Sequence, residues 1–380
     1  MTPQKFLIEV SKDDLDDLKY RLKHTRLPVL EKSPGWSDGT DPAYVQDLIA
    51  YWASTYDWRK AEAEINSFPN YKVKIDGTEL HFIHLRSKNP EAKALVLTHG
   101  WPDTFYRYIR VLPLLTDKYH LIVPSLPGYG FSGHEAKNSD ETAVLWVKLV
   151  TEVLGYPEFY ASGGDMGAGV ALSLARKHQD VVRGVHLTDV GWEGTETDPS
   201  LLSETEKAFT QQVNYWFMSD GAYIMMHSTK PITAAYGLND SPAALAAWAA
   251  SFSNNGKTEN YVDTAFGGRD AFLTNLSIYW FTQTSASALS LYKRGAEATW
   301  GQPAEVPADA AVPSATSPVA LAMYPRDFVI PREWAERQGL NIRRYKVLPD
   351  GGHFAALEVP ELFATELDEA LAELEAERGN

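Results

Sequence analysis

Short apolar runs alternate with helical patterns through much of the chain. Segments that predict strands lie at residues 94–98, 120–124 and 182–187, and the first two are mostly apolar. Between two of them, from Val170 to Ala175, apolar residues recur at helical spacing. Such alternation is typical of a mostly parallel sheet with helices on both faces, so the pattern predicts an α/β fold.

Two parts of the chain depart from this alternation. Residues 1–90 are rich in Trp, Tyr and Pro, and they carry two helical patterns followed by a predicted strand hairpin that turns at Asp76 and Gly77. A long central segment predicts helices without strands, at residues 201–218, 222–226, 243–252 and 271–292. We therefore predict three parts: an N-terminal meander over 1–90, a core over 91–192 and 306–380 on which it packs, and a helical lid over 193–305 inserted into that core.

Composition narrows the classes of function. The 380 residues include no Cys, which excludes disulfides, thiolate metal sites and cysteine catalysis. A formal net charge of -15 argues against nucleic acid or an anionic membrane as the main partner. The N-terminus begins no apolar run long enough for a signal peptide or a membrane span, so a cytoplasmic protein without a stable membrane anchor is expected.

The segment from Gly163 to Gly167 follows a predicted strand and opens a helical pattern. A tight turn between a strand and a helix holds one nucleophilic side chain above the strand ends, with glycines where neighbouring Cβ atoms would clash. Serine is common at the tip of such a turn, and here the residue is Asp165. An aspartate that attacks an sp3 carbon forms an alkyl ester on the protein, whereas a serine forms an acyl-enzyme. Ser162 is the alternative nucleophile, but it precedes the glycine pair, where the predicted strand has not ended.

Candidates for the base and the acid follow later predicted strands. His353 lies in a glycine-rich loop near the C-terminus, where the glycines let the backbone turn the imidazole inward. Asp327 follows a predicted strand and precedes His353, and the chain order nucleophile, acid, histidine is typical of such sheets. Glu358 is the competing acid, although its position close after His353 favours a role at the start of a helix. The backbone N–H groups of Trp101 and Met166 are placed to stabilise an oxyanion on the nucleophile.

Six motifs carry a family resemblance. They are His99-Gly100-Trp101-Pro102, Pro127 to Ser132, Gly163 to Gly167, Tyr279-Trp280, Tyr324 to Asp327, and Gly351 to Glu358. Together with the regions around Trp36 and Trp58, they span most of the chain. The sequence resembles an epoxide hydrolase of the α/β-hydrolase superfamily, specifically the microsomal type with an N-terminal meander domain, and among these the soluble bacterial and fungal members.

The resemblance implies an α/β-hydrolase fold and the conversion of an epoxide and water to a vicinal diol, with no cofactor and no metal. Asp165 would attack a ring carbon, and His353 with Asp327 would activate water. Two lid tyrosines hold the epoxide oxygen in this family. Their motif positions match Tyr223 and Tyr292, and the alternatives are Tyr215, Tyr236 and Tyr279.

The predicted partner is a small-molecule epoxide with an apolar or aromatic substituent. Four lid aromatics suggest a roomy apolar pocket for it: Trp216, Trp248, Tyr279 and Trp280. The oligomeric state stays open, and a homodimer is among the states that the sequence allows.

Two positions depart from the family pattern. Met166 stands where the family usually has tryptophan, and Asp103 stands where glycine is common, which predicts a charge near the pocket mouth. A haloalkane dehalogenase shares the aspartate nucleophile, but its halide site generally needs an N–H donor beside that nucleophile, which the Met166 side chain lacks. A non-catalytic binding protein of the same fold is a further alternative, and the presence of nucleophile, acid, base and both oxyanion turns argues against it.

Overall fold

The computed structural model describes residues 1–191, 198–254, 257–300 and 317–378. Within these ranges nine strands form one sheet in the order β1-β2-β3-β5-β4-β6-β7-β8-β9. The strands are β1 (Gln4–Lys5), β2 (Asn70–Ile75), β3 (Thr78–Leu85), β4 (Lys93–Thr98), β5 (Tyr119–Pro124), β6 (Phe159–Gly163), β7 (Val182–Leu187), β8 (Val319–Met323) and β9 (Ile342–Val347). All neighbouring pairs among β4 to β9 are parallel. Strands β1, β2 and β3 add an antiparallel edge, in which β3 pairs with β5. The predicted α/β-hydrolase architecture, with its mostly parallel sheet, is confirmed.

Helices cover the sheet and build the segment between β7 and β8. The α-helices are α1 (Lys12–Lys23), α2 (Pro42–Ser54), α3 (Trp58–Asn66), α4 (Leu112–Leu115), α5 (Ser139–Lys148), α6 (Met166–Lys177), α7 (Glu204–Ser219), α8 (Ala222–Thr229), α9 (Pro231–Asp240), α10 (Pro242–Ser253), α11 (Val262–Ala265), α12 (Arg269–Thr282), α13 (Ser285–Trp300), α14 (Arg332–Arg337), α15 (Ala355–Glu358) and α16 (Pro360–Arg378). Short 3-10 turns lie at Phe105–Tyr108 and Pro199–Leu201, and a π-helical turn at Leu149–Val153 extends α5. None of the helices in the described ranges is both long and apolar enough to cross a membrane.

The parallel strands form the centre of the core because both of their faces are covered. Every residue of β5, β6 and β8 is buried. This explains why these strands are mostly apolar or small residues in the sequence, without an alternation of apolar and charged positions. The hairpin between β2 and β3 turns at Asp76 and Gly77, as predicted, and both residues have positive φ (48° and 87°).

The predicted helix over residues 271–292 is wrong as a single element. It is divided between α12 and α13 at Gln283, whose φ of 53° lies in the left-handed region and ends α12. The polar run from Thr282 to Ser285 marks this break, but the apolar pattern on both sides conceals it. Helices α3 and α9 are further elements that the sequence pattern did not predict.

The N-terminal helices pack against the helices of the predicted lid. The Tyr44 hydroxyl donates a hydrogen bond to Asp263 at 2.9 Å, and the Thr40 hydroxyl donates one to the Ala247 carbonyl oxygen at 2.6 Å. Strands β2 and β3 of the same region extend the central sheet. The N-terminal segment therefore joins both the sheet and the lid, and the boundaries at 90, 192 and 305 stay predictions.

Candidate active site

The site lies at the carboxyl ends of the parallel strands, where the loops that follow neighbouring strands meet. The turn after β6 carries Asp165, and the turn after β4 carries Trp101. The loops after β8 and β9 carry Asp327 and His353, and the helices α8 and α13 bring Tyr223 and Tyr292 over this edge. The structure therefore brings these predicted site residues together from distant parts of the chain.

The turn at Asp165 explains the glycines around it. Asp165 has φ 54° and ψ -131°, a backbone conformation that a non-glycine residue rarely adopts. A Cβ atom at Gly167 would lie 2.0 Å from the Thr98 carbonyl oxygen, and one at Gly163 would lie 2.2 Å from the Gly167 carbonyl oxygen. A Cβ atom at Gly100 would lie 2.2 Å from Oδ1 of Asp165 itself. Only glycine at these positions lets β4, β6 and the start of α6 approach each other this closely.

The two oxygens of the Asp165 carboxylate have different neighbours. Its Oδ1 accepts a hydrogen bond from the Trp101 N–H at 2.8 Å and another from the Met166 N–H at 2.7 Å. Its Oδ2 lies 3.5 Å from Nε2 of His353. The two backbone groups that the sequence suggested as an oxyanion hole therefore bind one oxygen of the Asp165 carboxylate.

His353 is held between two carboxylates. Its Nδ1 lies 2.9 Å from Oδ2 of Asp327, and the other oxygen of Asp327 accepts the Phe328 N–H at 2.9 Å. Burial by itself would lower the pKa of His353, but the charges and hydrogen bonds of Asp327 and Asp165 raise it to about 10. Burial would raise the pKa of Asp327, but the charge and hydrogen bond of His353, the Phe328 N–H and the Arg107 charge together lower it. The raised pKa of His353 therefore favours the protonated imidazolium at neutral pH.

The two alternative residues from the sequence have other partners. The Ser162 hydroxyl lies inside β6, 2.9 Å from Nδ1 of His186. Glu358 accepts hydrogen bonds from Arg326 at 2.7 and 2.9 Å and from the Tyr261 hydroxyl at 2.7 Å. It is the last residue of α15, so the expectation that it begins a helix is wrong. Its carboxylate ties the loop of Asp327 to the loop of His353.

Tyr223 and Tyr292 face each other across the site. Their ring centroids lie 6.1 Å apart, and both rings contact Trp101, at 5.2 and 6.2 Å. Burial raises the pKa of both phenols well above the ordinary value, and the negative charge of Asp165 acts in the same direction. The buried Tyr292 hydroxyl has no hydrogen-bond partner within the described part of the chain. Both side chains are therefore neutral phenols in the wall of the cavity that Asp165 also lines.

The other tyrosines considered for this role lie elsewhere. Tyr215 and Tyr236 are each 78% exposed on the outer surface. Tyr279 is buried, but its hydroxyl donates to the Asp103 carbonyl oxygen at 2.9 Å. None of these three lines the cavity described next.

A cavity of about 270 Å³ opens beside Asp165 and His353. Most of its wall is apolar or aromatic, contributed by Met166, Trp216, Ile224, Phe252 and Phe328. Pockets for small ligands commonly measure about 300–1,000 Å³, so this one is small rather than roomy. Of the four aromatics expected in its wall, Trp216 alone contributes, because Trp248, Tyr279 and Trp280 face other parts of the fold.

Asp103 does not lie at the mouth of the pocket, as the sequence had suggested. It is completely buried, and its carboxylate accepts the Gly100 N–H at 2.8 Å and Nη1 of Arg107 at 2.6 Å. Burial would raise the pKa of Asp103, but the charges and hydrogen bonds of Arg107 and His99 together lower it to about 2. The spacing of four residues between an acid and an arginine was the signal that could have revealed this pair.

One further carboxylate reaches the cavity without having been selected from the sequence. Asp189 follows β7 and lines the same cavity as Asp165, Asp327 and His353. Its position in the sequence could have revealed it, because Asp189 lies two residues after the end of a strand, as Asp165 does.

Comparisons with known proteins agree with this geometry. Residues 3–108 match the family model described as Epoxide hydrolase N terminus, and residues 93–360 match that of the alpha/beta hydrolase fold. Epoxide hydrolase 1 of Sus scrofa is 33% identical over 416 residues, which cover 97% of this chain and 88% of the relative. The structure of Aspergillus niger epoxide hydrolase is 29% identical with a TM-score of 0.83, covering 98% of this chain and 97% of that one. The structure of juvenile hormone epoxide hydrolase from the silkworm Bombyx mori is 25% identical with a TM-score of 0.86. The match covers 99% of this chain and 95% of that one.

The sheet, its strand-end turns and the inserted helices define an α/β-hydrolase. Within that class, the matched N-terminal region and the 33% identity over nearly the whole chain are decisive: the chain belongs to the epoxide hydrolases. Its reaction is therefore the hydrolysis of an epoxide, which sets aside halide release and non-catalytic binding.

Proposed function

We propose that this enzyme opens its epoxide through a covalent ester on Asp165. The observation that carries the proposal is the orientation of the carboxylate. Oδ1 accepts both backbone N–H groups, at 2.8 and 2.7 Å, which leaves Oδ2 toward the cavity and His353. One oxygen is thus held where negative charge will develop, and the other is placed to attack carbon.

In the first step Oδ2 of Asp165 bonds to a ring carbon while the bond from that carbon to the epoxide oxygen breaks. The electron pair of the broken bond goes to the epoxide oxygen, which takes a proton from the hydroxyl of Tyr223 or Tyr292. A phenol whose pKa is raised by burial stays protonated until this moment, so it can donate throughout the neutral range. The product is a hydroxyalkyl ester and a phenolate.

In the second step His353 takes a proton from water, and the resulting hydroxide attacks Cγ of the Asp165 ester. Negative charge then develops on Oδ1, where the Trp101 and Met166 N–H groups receive it. Collapse of this intermediate breaks the bond between Cγ and Oδ2, and the departing alkoxide accepts the proton from His353. The diol therefore leaves with the former Oδ2, and Asp165 retains an oxygen from water.

The charges around His353 give the two steps their order. In the resting enzyme the pKa of His353 is raised to about 10, so it holds a proton and cannot act as a base. Alkylation converts Asp165 to a neutral ester and removes one of the two charges that hold this proton. His353 then returns the proton to the phenolate and becomes the base for hydrolysis. The carboxylic acid that forms at Asp165 gives its proton to His353, which balances the cycle.

The cavity supports an epoxide with an apolar or aromatic substituent as the substrate. Its aromatic wall would cover a ring of the size of a phenyl group, while its small volume disfavours large polycyclic substrates. Styrene oxide is therefore a suitable probe.

A single turnover in heavy-oxygen water tests the covalent route. With enzyme in excess over styrene oxide, we expect the label in the side chain of Asp165 and ordinary oxygen in the first diol formed, both measured by mass spectrometry. The His353→Gln variant should accumulate an alkylated peptide that contains Asp165. Label that enters the first diol directly, with Asp165 unlabelled, would show that water attacks the epoxide without the ester.

A further inference from the structure

Asp189 occupies the position between the nucleophile and the acid. Strand β7 lies between β6 and β8 in the sheet, and Leu187 at its end pairs in register with Gly163 at the end of β6. Asp165 and Asp189 each lie two residues beyond these paired ends. Because Asp327 follows the next strand, β8, three neighbouring parallel strands each present a carboxylate at the same edge of the sheet.

The Asp189 side chain is held in place and faces the cavity. Its Oδ1 accepts the Gly191 N–H at 2.8 Å, which fixes the carboxylate in a tight turn. The residue is partly exposed, and it lines the cavity together with Asp165, Asp327, His353 and Arg326. Asparagine could accept the same backbone hydrogen bond without the cost of placing a charge in a largely apolar pocket.

The electrostatic surroundings link Asp189 to the acid and the base. Burial raises the pKa of Asp189 to about 6, and the negative charges of Asp327 and Asp165 act in the same direction. The positive charge of His353 and the Gly191 hydrogen bond oppose this rise. Asp189 therefore interacts with every charged member of the proposed mechanism.

We propose that Asp189 is a second acid of this active site, a positioning residue that supports the His353 imidazolium beside Asp327 during hydrolysis of the ester on Asp165. The inference rests on the proposed covalent function. Ester hydrolysis forms an imidazolium after the Asp165 charge has been removed, so a nearby carboxylate is most useful at that stage. Loss of Asp327 would also remove the repulsion that keeps Asp189 weakly acidic, which leaves Asp189 ionised and able to replace it.

The variants Asp189→Asn, Asp327→Asn and their combination test this inference with styrene oxide in single-turnover experiments. Loss of the sole acid from such a group costs about 10,000-fold in rate. Because Asp189 would replace part of this function, we expect Asp327→Asn to slow hydrolysis of the Asp165 ester by much less than this, and the double variant to approach the full loss of about 10,000-fold. Formation of the ester should change far less in all three, so alkylated enzyme should accumulate in the double variant.

Asp38→Asn, added to Asp327→Asn, is the matched control because Asp38 is an exposed carboxylate outside the site. It should leave the hydrolysis rate of the single variant unchanged. A double variant of Asp189 and Asp327 that hydrolyses the ester as fast as Asp327→Asn would overturn the role of Asp189. So would an equal loss of ester formation and hydrolysis in Asp189→Asn, which would indicate a structural role. Failure of the covalent mechanism is separate, since wild-type enzyme would then show no alkylated or labelled Asp165.

Discussion

Arg107 donates a hydrogen bond from Nη2 to the backbone carbonyl oxygen of His353, at 2.5 Å. Its Nη1 is ion-paired with Asp103, whose other oxygen holds the Gly100 N–H. A buried ion pair thus connects the turn that carries Trp101 to the loop that carries His353.

Replacement of Arg107 by methionine should destabilise the fold strongly, because it leaves the Asp103 charge buried without a partner. We expect a loss of about 3–5 kcal/mol in the free energy of unfolding, measured by urea denaturation. The double variant Asp103→Asn/Arg107→Met removes both charges and should recover part of this loss. The control is Arg332→Met, which breaks an exposed pair with Glu336 at the same four-residue spacing and should have a much smaller effect. An equally small effect of Arg107→Met would contradict the assigned role.

The pKa of His353 should fall when Asp165 loses its charge. In the wild type it is raised to about 10, with Asp327 and Asp165 both favouring the protonated ring. In Asp165→Asn, NMR titration of the His353 ring should give a lower value. Because the pKa is raised on folding, the associated stability is complete below about pH 6.5 and is lost as pH rises toward 10. In the variant this stabilisation should be smaller, and its loss should be complete at a lower pH. An unchanged His353 titration would refute the proposed control of the base by the nucleophile.

The local features of the site could be predicted from the sequence, because each depends on a few adjacent residues. The glycines around Asp165 and the loop of His353 impose their turns wherever the strands lie. The positions of Asp103 and Asp189 depend instead on how distant strands align. Asp103 was expected near the pocket mouth but is buried by α12, through Tyr279, and by its own pair with Arg107.

The helices inserted between β7 and β8 were the least predictable part for a related reason. Helices that are apolar on several faces do not reveal which aromatic faces the substrate. Trp216 lines the cavity, whereas the Trp248 indole N–H donates to Nε2 of His227 at 3.0 Å, and Trp280 lies against Arg21. Helix direction and crossing decide this, and neither is encoded in spacing alone.

Removal of both hydroxyls of the tyrosine pair should slow ester formation while ester hydrolysis stays near normal. General acid catalysis contributes about 100- to 10,000-fold, so Tyr223→Phe/Tyr292→Phe should lose a factor in that range from the alkylation rate. Rapid-quench measurement of alkylated Asp165 separates the two steps. Tyr236→Phe serves as the control because its ring is on the outer surface. If the double variant alkylates at the wild-type rate, neither phenol protonates the epoxide oxygen.

An alanine at Gly100 should disable the nucleophile while most of the fold is retained. Its Cβ atom would lie 2.2 Å from Oδ1 and 2.6 Å from Cγ of Asp165, so the carboxylate must leave the Trp101 and Met166 N–H groups. A displacement of about 1 Å at a reacting group costs about 100-fold in rate, and we expect at least that loss of diol formation from styrene oxide. The control is Gly237→Ala, in α9, where a Cβ atom meets nothing within 4 Å. That change should leave activity intact and stabilise the helix by about 0.5–1 kcal/mol. Full activity in Gly100→Ala would mean that catalysis does not require this carboxylate position.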